Sequence, residues 1–303
     1  MSNRKRFSAL AAAIDDERRR LLAAGGAPAG ELGRLALEEI WASTRLAGAG
    51  LAPGEVAALL ERAVVMGERR LDEYVLVADY AAAAAFAAAA PPIGRRHIFL
   101  RLEEIIALHE LATGRQPAAR PGQWRTTTAA PFSSGVVPPP AWLVPREMNA
   151  FVERVALGPA AHVHALEWIA GAHERFARIH PFAKGNGRVV RLMTNLLLQR
   201  SGLPPFAVRG GAGTYLAALR RADARDLWPL GSVLARAVLG SLRRLVAATE
   251  PNPDLRSLAS FASGAARARL YKAAQRGRLR SVRRGGTLLT SAAWIAEYEA
   301  SRA

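Results

Sequence analysis

Two helical patterns flank a short break in this chain, and the residues in that break limit how the chain can fold there. Apolar residues recur at helical spacing at Val163, Leu166, Ile169, Ala170, Phe176 and Ile179, and Pro159 is placed to open that helix. Val189, Leu192, Met193, Leu196 and Leu197 mark a second helix, closed by Gly202 and Pro204. Between them runs His180-Pro181-Phe182-Ala183-Lys184-Gly185-Asn186-Gly187-Arg188, with Arg191 three residues further on. Gly185 and Gly187 let backbone N–H groups come close to an anion. The helix that follows presents unpaired N–H groups and a positive dipole end. Arg188 and Arg191 both project near its first turn, an arrangement suited to a di- or triphosphate. His180 is the one side chain there that takes up a proton near neutral pH.

These residues resemble the Fic family signature, His-Pro-Phe-x-(Asp/Glu)-Gly-Asn-Gly-Arg-x-x-Arg. Every fixed position matches except one, where Lys184 replaces the acid. Family members typically move the AMP part of ATP onto a Ser, Thr or Tyr hydroxyl of a target protein. The resemblance implies that His180 is the general base, that Phe182 anchors the loop, and that Asn186 with the Gly185 and Gly187 backbone holds phosphates. It also implies that Arg188 and Arg191 hold the β and γ phosphates. The family's acid at the Lys184 position coordinates Mg²⁺. A protonated lysine has no lone pair to offer a metal, so the usual Mg²⁺ site is absent or weakened and no metal-ligating residue is assigned. Two readings stay open. Lys184 either replaces the metal as a cationic phosphate contact, with transfer of AMP or a related phosphate-containing group retained, or the pocket senses nucleotide in a DNA- or protein-binding regulator.

Upstream, Ser43 to Leu51 resembles the inhibitory helix of many Fic proteins, (Ser/Thr)-x-x-x-Glu-(Gly/Asn). Counting from Ser43 puts Ala47 at the glutamate and Gly48 after it. In the family that glutamate pairs with the second signature arginine, here Arg191, and an alanine cannot. The stretch Pro121-Gly122-Gln123-Trp124-Arg125 resembles the family's Pro-Gly-x-(Tyr/Trp)-Arg approach to a β-hairpin flap over the active site, whose edge receives the target by strand addition. The flap is placed at about Thr126–Val137, with Thr126, Thr127, Thr128, Ser133, Ser134 and Gly135 as its target-binding residues.

Other constellations fail on spacing. His173 and His180 are seven apart, not the four of a zincin helix, so His173 is expected to pack and hydrogen-bond under the loop. His162 and His164 are expected on different sides of a helix. Gly210-Gly211-Ala212-Gly213 lacks the Lys and Ser/Thr of a P-loop and is expected as a turn before Tyr215, in a stretch that resembles the helix following the Fic core.

The expected fold is mostly α: a Fic-type helical bundle with a small β-hairpin flap and a winged-helix-like tail. Expected regions are residues 1–92, helical with the degenerate inhibitory motif, residues 93–248, the Fic core, and residues 249–303, set off by Pro251-Asn252-Pro253. In the tail, Leu255–Ala262 is expected to open a helix. Ala266–Gln275 is expected as a second helix, residues 276–290 as a hairpin turning at Gly285-Gly286, and residues 291–298 as a last helix. That order resembles excisionase-type winged helix–turn–helix domains, which makes DNA a candidate partner through residues 255–303. From Leu255 on there are ten basic and two acidic residues, within a chain whose net charge is +17. Oligomeric state and target are not legible. The chain has no cysteine, and no apolar leader follows Arg4-Lys5-Arg6. Ala81–Ala90 is too short to span a bilayer and is expected as a closely packed helix ended by Pro91-Pro92. A cytoplasmic protein without membrane contact is expected.

Overall fold

The computed structural model describes residues 3–89, 99–130, 136–208, 212–249 and 254–300. Its helices are α1 (Asn3–Ala23), α2 (Ala29–Leu46), α3 (Pro53–Arg62), α4 (Leu71–Ala89), α5 (Leu102–Thr113), α6 (Val144–Ala156), α7 (Ala165–Ile179), α8 (Asn186–Arg200), α9 (Ala212–Asp223), α10 (Trp228–Thr249), α11 (Gly264–Gln275) and α12 (Ala292–Ala300). The strands are β1 (Arg256–Ser257), β2 (Val282–Arg284) and β3 (Thr287–Thr290). The fold is mostly helical with one small sheet, and it packs as two units, residues 36–233 and residues 1–35 with 234–303.

In the first unit α8 is the central post. Val189, Val190, Leu192, Met193, Leu196, Leu197 and Leu198 are all buried, so its apolar surface runs around the helix rather than along one stripe. It is enclosed by α4, α5 and α7, while α6 backs α7. The alanine run of α4 buries Ala83 and Ala87, small side chains that permit close helix contact. Pro91-Pro92 lies outside the described residues.

Several local expectations are corrected. Pro159 does not open α7: the helix starts at Ala165, because His164 caps it through Nδ1, which accepts from the Leu166 N–H at 3.2 Å. His162 and His164 therefore both precede the helix instead of sitting on two of its sides. The described ends of the expected flap, residues 126–130 and 136–137, contain no strand, and neither do residues 138–140. The Thr127 carbonyl there is taken by the Arg125 side chain at 2.9 Å, and Pro138 to Pro140 have no N–H for a ladder.

The second unit is held by a buried ionic core as well as an apolar one. Leu258, Leu270, Leu279, Val282, Trp294 and Tyr298 pack together. β3 pairs antiparallel with β1 on one side and β2 on the other, with Val282 opposite Leu289 and Arg256 opposite Thr290. Leu255–Ala262 forms β1 and a short 3₁₀ turn instead of a helix, because Arg256 and Ser257 join the sheet. The expected hairpin at Gly285-Gly286 and the last helix are present, and the Ser291 Oγ accepts from the Trp294 N–H at 3.2 Å. Pro251-Asn252-Pro253 lies outside the described residues. Sequence boundaries at 92/93 and 248/249 differ from the observed division because α1 packs with the C-terminal region. Glu17 Oε1 lies 3.3 Å from Arg243 Nε and 3.4 Å from Arg280 Nε, with all three side chains buried. Arg280 also stacks over the Trp294 ring at 4.4 Å.

Removing the acid from such a cluster leaves two buried cations without their counter-charge. Glu17→Gln is expected to destabilise the protein by about 3–5 kcal/mol, read as a lowered midpoint in urea. An unchanged midpoint would show that the cluster contributes little.

Candidate active site: the turn between α7 and α8

α7 ends by turning left-handed at a histidine. His180 has φ 51° and ψ 58°, and its N–H donates to the Phe176 carbonyl at 3.1 Å. A left-handed non-glycine residue costs free energy and persists only where its surroundings over-determine it. Here the surroundings do so from three sides. Phe182 is fully buried, and its ring stacks face to face on His109, with centroids 3.6 Å apart, and against Trp124 at 4.9 Å. Asn186 closes the turn reciprocally. Its Oδ1 accepts from the Phe182 N–H at 2.9 Å, and its Nδ2 donates to the Phe182 carbonyl at 2.7 Å. Gly185, at φ 85°, caps α8 where a Cβ would stand 2.9 Å from the Thr113 methyl, so the position needs glycine for both conformation and space.

His109 on α5 pins the rest of the turn. Its Nε2 is 3.0 Å from the Lys184 carbonyl, and its Nδ1 accepts from the Gly122 N–H at 3.0 Å. A carbonyl cannot donate, so Nε2 carries the proton and the ring is neutral. Burial pushes its pKa down to about 4, with the Arg188 charge acting in the same direction. Arg125 holds the other end, donating from Nε to the His180 carbonyl at 2.8 Å.

The two signature arginines are buried and already engaged. Arg188 donates to the Ala112 carbonyl at 2.5 Å and to Gln116 Oε1 at 3.0 Å. Arg191 donates from Nε to Ser43 Oγ and from Nη2 to the Ser43 carbonyl, each at 2.8 Å. A Cβ on Gly187 would come within 3.3 Å of Arg191 Nη1, so glycine there lets the guanidinium lie against the first turn of α8. Behind Ser43 sits Glu39, whose Oε1 accepts from the Tyr80 hydroxyl at 2.5 Å and the Ser43 hydroxyl at 3.1 Å. Burial pushes the Glu39 carboxyl up to about 7, against the opposing pull of Tyr80, Arg191, Ser43 and Asn195. The pKa of the His180 imidazole is shifted down, first by burial and also by the Arg125 charge, which favours its neutral form.

The structure gathers His180, Phe182, Gly185, Asn186, Gly187, Arg188 and Arg191 in one turn, with Ser43 reaching them from α2. Lys184 and Ala47 are exposed, the latter just past the end of α2, and Gly48 follows at φ 104°. Thr126, Thr127 and Thr128 are exposed, while Ser133, Ser134 and Gly135 lie outside the described residues, as do Gly210 and Gly211. Asn186 spends its amide on closing the loop. His173 bonds Thr194 and the Tyr215 hydroxyl, each at 2.8 Å. Sequence reasoning missed the roles of His109, Glu39 and Tyr80. Nothing distinguishes them in sequence from core-facing helix positions. Arg125 was visible within its Pro-Gly-x-Trp-Arg stretch, but without a partner.

A model of the Fic/DOC family matches residues 99–198, which form a Fic/DOC family domain. The protein adenylyltransferase Fic of Nematostella vectensis is 30% identical over 155 residues, 51% of this chain and 36% of its own length. The protein adenylyltransferase fic-1 of Caenorhabditis elegans is 26% identical over 216 residues, 71% of this chain and 42% of its own length. The chain thus spans well under half the length of these curated relatives. Among solved structures, a portion of Fic-1 from C. elegans superposes with a TM-score of 0.68 at 24% identity, covering 81% of this chain and 72% of that one. A Fic domain-containing signaling protein from Bacteroides thetaiotaomicron gives 0.67 at 20% identity, covering 78% and 96%. The two structures establish a shared fold. Among the described residues, no helix is long and apolar enough to cross a membrane.

Glu39 makes stability depend on pH with a definite sign. Its folded pKa, about 7, lies above the ordinary 4.5, so the folded state holds this proton more tightly than the unfolded state. The stabilisation is complete below about 4.5 and is lost as pH rises towards 7, a change of about 3 kcal/mol. Glu39→Gln is expected to remove this decline. Melting temperatures of both proteins from pH 4.5 to 8 check it, and parallel curves would refute it.

Proposed function

We propose that this protein transfers AMP from ATP to a Ser, Thr or Tyr hydroxyl of a protein target. The observation that carries the reading is a neutral His180 held in a strained conformation at the end of α7, directly before the N-terminus of α8. His180 takes the proton of the target hydroxyl. The hydroxyl oxygen bonds to the α-phosphorus, the bond from that phosphorus to the β-bridging oxygen breaks, and pyrophosphate leaves. The first-turn N–H groups of α8, Arg188, Arg191 and Lys184 stabilise the charge that develops on the phosphates. Arg191 meets the γ-phosphate by exchanging its Ser43 contacts for phosphate oxygens. The adenylyltransferase names of the relatives support the same chemistry.

A Mg²⁺ ion held by the protein, as the family signature implies, does not fit these residues. The position for its carboxylate is Lys184, and the described residues contain no group of three His, Cys, Asp or Glu side chains that could hold a metal. Lys184 supplies fixed positive charge at that place instead. Ala47 in place of the inhibitory glutamate leaves Arg191 facing a hydroxyl and a carbonyl instead of a carboxylate.

His180→Ala is expected to lower AMP transfer about 10²–10⁴-fold with ATP binding retained, measured by intact mass after incubation with ATP and by calorimetry. Because the His180 pKa is depressed, the rate should hold steady as pH falls from 8 and drop only below about 6.5. Wild-type labelling by His180→Ala would place the chemistry elsewhere.

A second activity is proposed for the tail, on the exposure of its cations. Arg267, Arg269 and Lys272 on α11 and Arg283 and Arg284 on β2 are all exposed, the last two beside the Gly285–Gly286 turn. A basic helix next to a basic hairpin suits phosphate contact on duplex DNA, with the hairpin as the wing of a winged helix–turn–helix-like unit. The double variant Arg283→Ala/Arg284→Ala is expected to flatten the salt dependence of duplex binding by about two units of log K against log salt. An unchanged slope would remove the hairpin from the interface.

A further inference from the structure

Arg125 is 3% exposed and makes five hydrogen bonds, all to main-chain carbonyls of three separate stretches. Its own N–H donates to Pro181 at 2.9 Å. Its Nε donates to His180 at 2.8 Å, and Nη2 to Ile179 at 3.4 Å. Nη1 donates to Thr127 at 2.9 Å, and Nη2 to Pro139 at 2.5 Å. Three of these acceptors, Ile179, His180 and Pro181, form the turn that carries the base. The other two, Thr127 and Pro139, lie in two further stretches of chain.

Each contact answers a physical need. The last carbonyls of α7 lack intrahelical partners, and a cation at a helix C-terminus is favoured by the dipole. The left-handed His180 needs outside bonds to persist. Thr127 and Pro139 have no strand pairing among the described residues, so one rigid guanidinium sets their separation. Lysine has three donors on a single nitrogen and cannot reproduce that planar fork.

We propose that Arg125 is a positioning residue that ties the chain at Thr127 and at Pro139 to the backbone of His180, so that one side chain fixes where the base stands. This inference rests on the proposed AMP transfer. The residue touches neither nucleotide nor target. It acts through the His180 carbonyl on one side and through Thr127 and Pro139 on the other. Its charge also bears on the base, since it helps to hold the His180 imidazole below its ordinary pKa.

The test uses the full chain as wild type, Arg125→Lys and Arg125→Gln, with ATP labelled at the α-phosphate. AMP transferred to the protein itself and AMP released to water are counted, ATP affinity is measured by calorimetry, and the His180 ring is titrated by NMR, assigned with His180→Ala. Expected are ATP dissociation constants within about twofold of wild type and AMP transfer lowered about 10- to 100-fold in Arg125→Gln. Arg125→Lys should lie between, and the His180 pKa should rise in Arg125→Gln. Wild-type transfer by Arg125→Gln with an unmoved His180 titration would overturn the proposal. So would a loss of ATP affinity as large as the loss of rate in both variants, which marks a general packing role. If the wild type transfers no AMP, the proposed reaction fails, and the His180 titration alone decides: a shifted ring supports the positioning role and an unshifted one refutes it. Should Arg125→Gln not fold, Arg125→Lys carries the same comparison.

Discussion

A helix that ends left-handed on a histidine is the constraint on which the site depends. Main-chain groups in such a turn would otherwise face a poorly solvated interior, where an unpaired polar group is costly. Side chains from α5, from the stretch after it and from α8 itself take them up. His109 takes the Lys184 carbonyl, the Arg125 side chain the Ile179 and His180 carbonyls with its main-chain N–H on Pro181, and Asn186 both the N–H and the carbonyl of Phe182. The stacked His109 and Phe182 rings fill the space beneath. The result is a histidine whose backbone is fixed by the groups around the turn.

Charge around the turn is arranged with the same economy. Arg188 and Arg191 are buried and donate to carbonyls, a glutamine oxygen and a serine hydroxyl. Neutral acceptors relieve their desolvation only in part and leave the positive potential intact for a phosphate. Glu39 is a buried carboxyl in this network, and its raised pKa shows that burial outweighs the attraction of Arg191.

The second unit uses burial of charge differently. Glu17 is drawn between Arg243 and Arg280, which makes α1 part of the core that also contains the sheet and α12. Its cations on α11 and β2 are exposed, with Arg269 paired to Glu299 at 3.3 Å and Arg283 donating to the Gly286 carbonyl at 2.7 Å. One set of arginines thus builds the unit, and another set lies on its surface.

Some of this was determined by local sequence. Glycine at 185 and 187, helical periodicity on both sides, and a histidine between them define the turn, because each acts within a few residues of its own position. The hairpin at Gly285-Gly286 and the helix after it were legible for the same reason. Tertiary structure decided what touches the turn. Ser43 reaches Arg191 across 148 residues, His109 reaches Lys184 across 75, and Arg125 reaches His180 across 55. Glu17 meets Arg243 across 226 residues, and no break in composition foretells that α1 belongs with the C-terminal unit. Periodicity reports which face of a helix is apolar, but not which distant backbone carbonyl its one polar residue will meet. That choice is made only when the helices pack and every buried donor must find an acceptor.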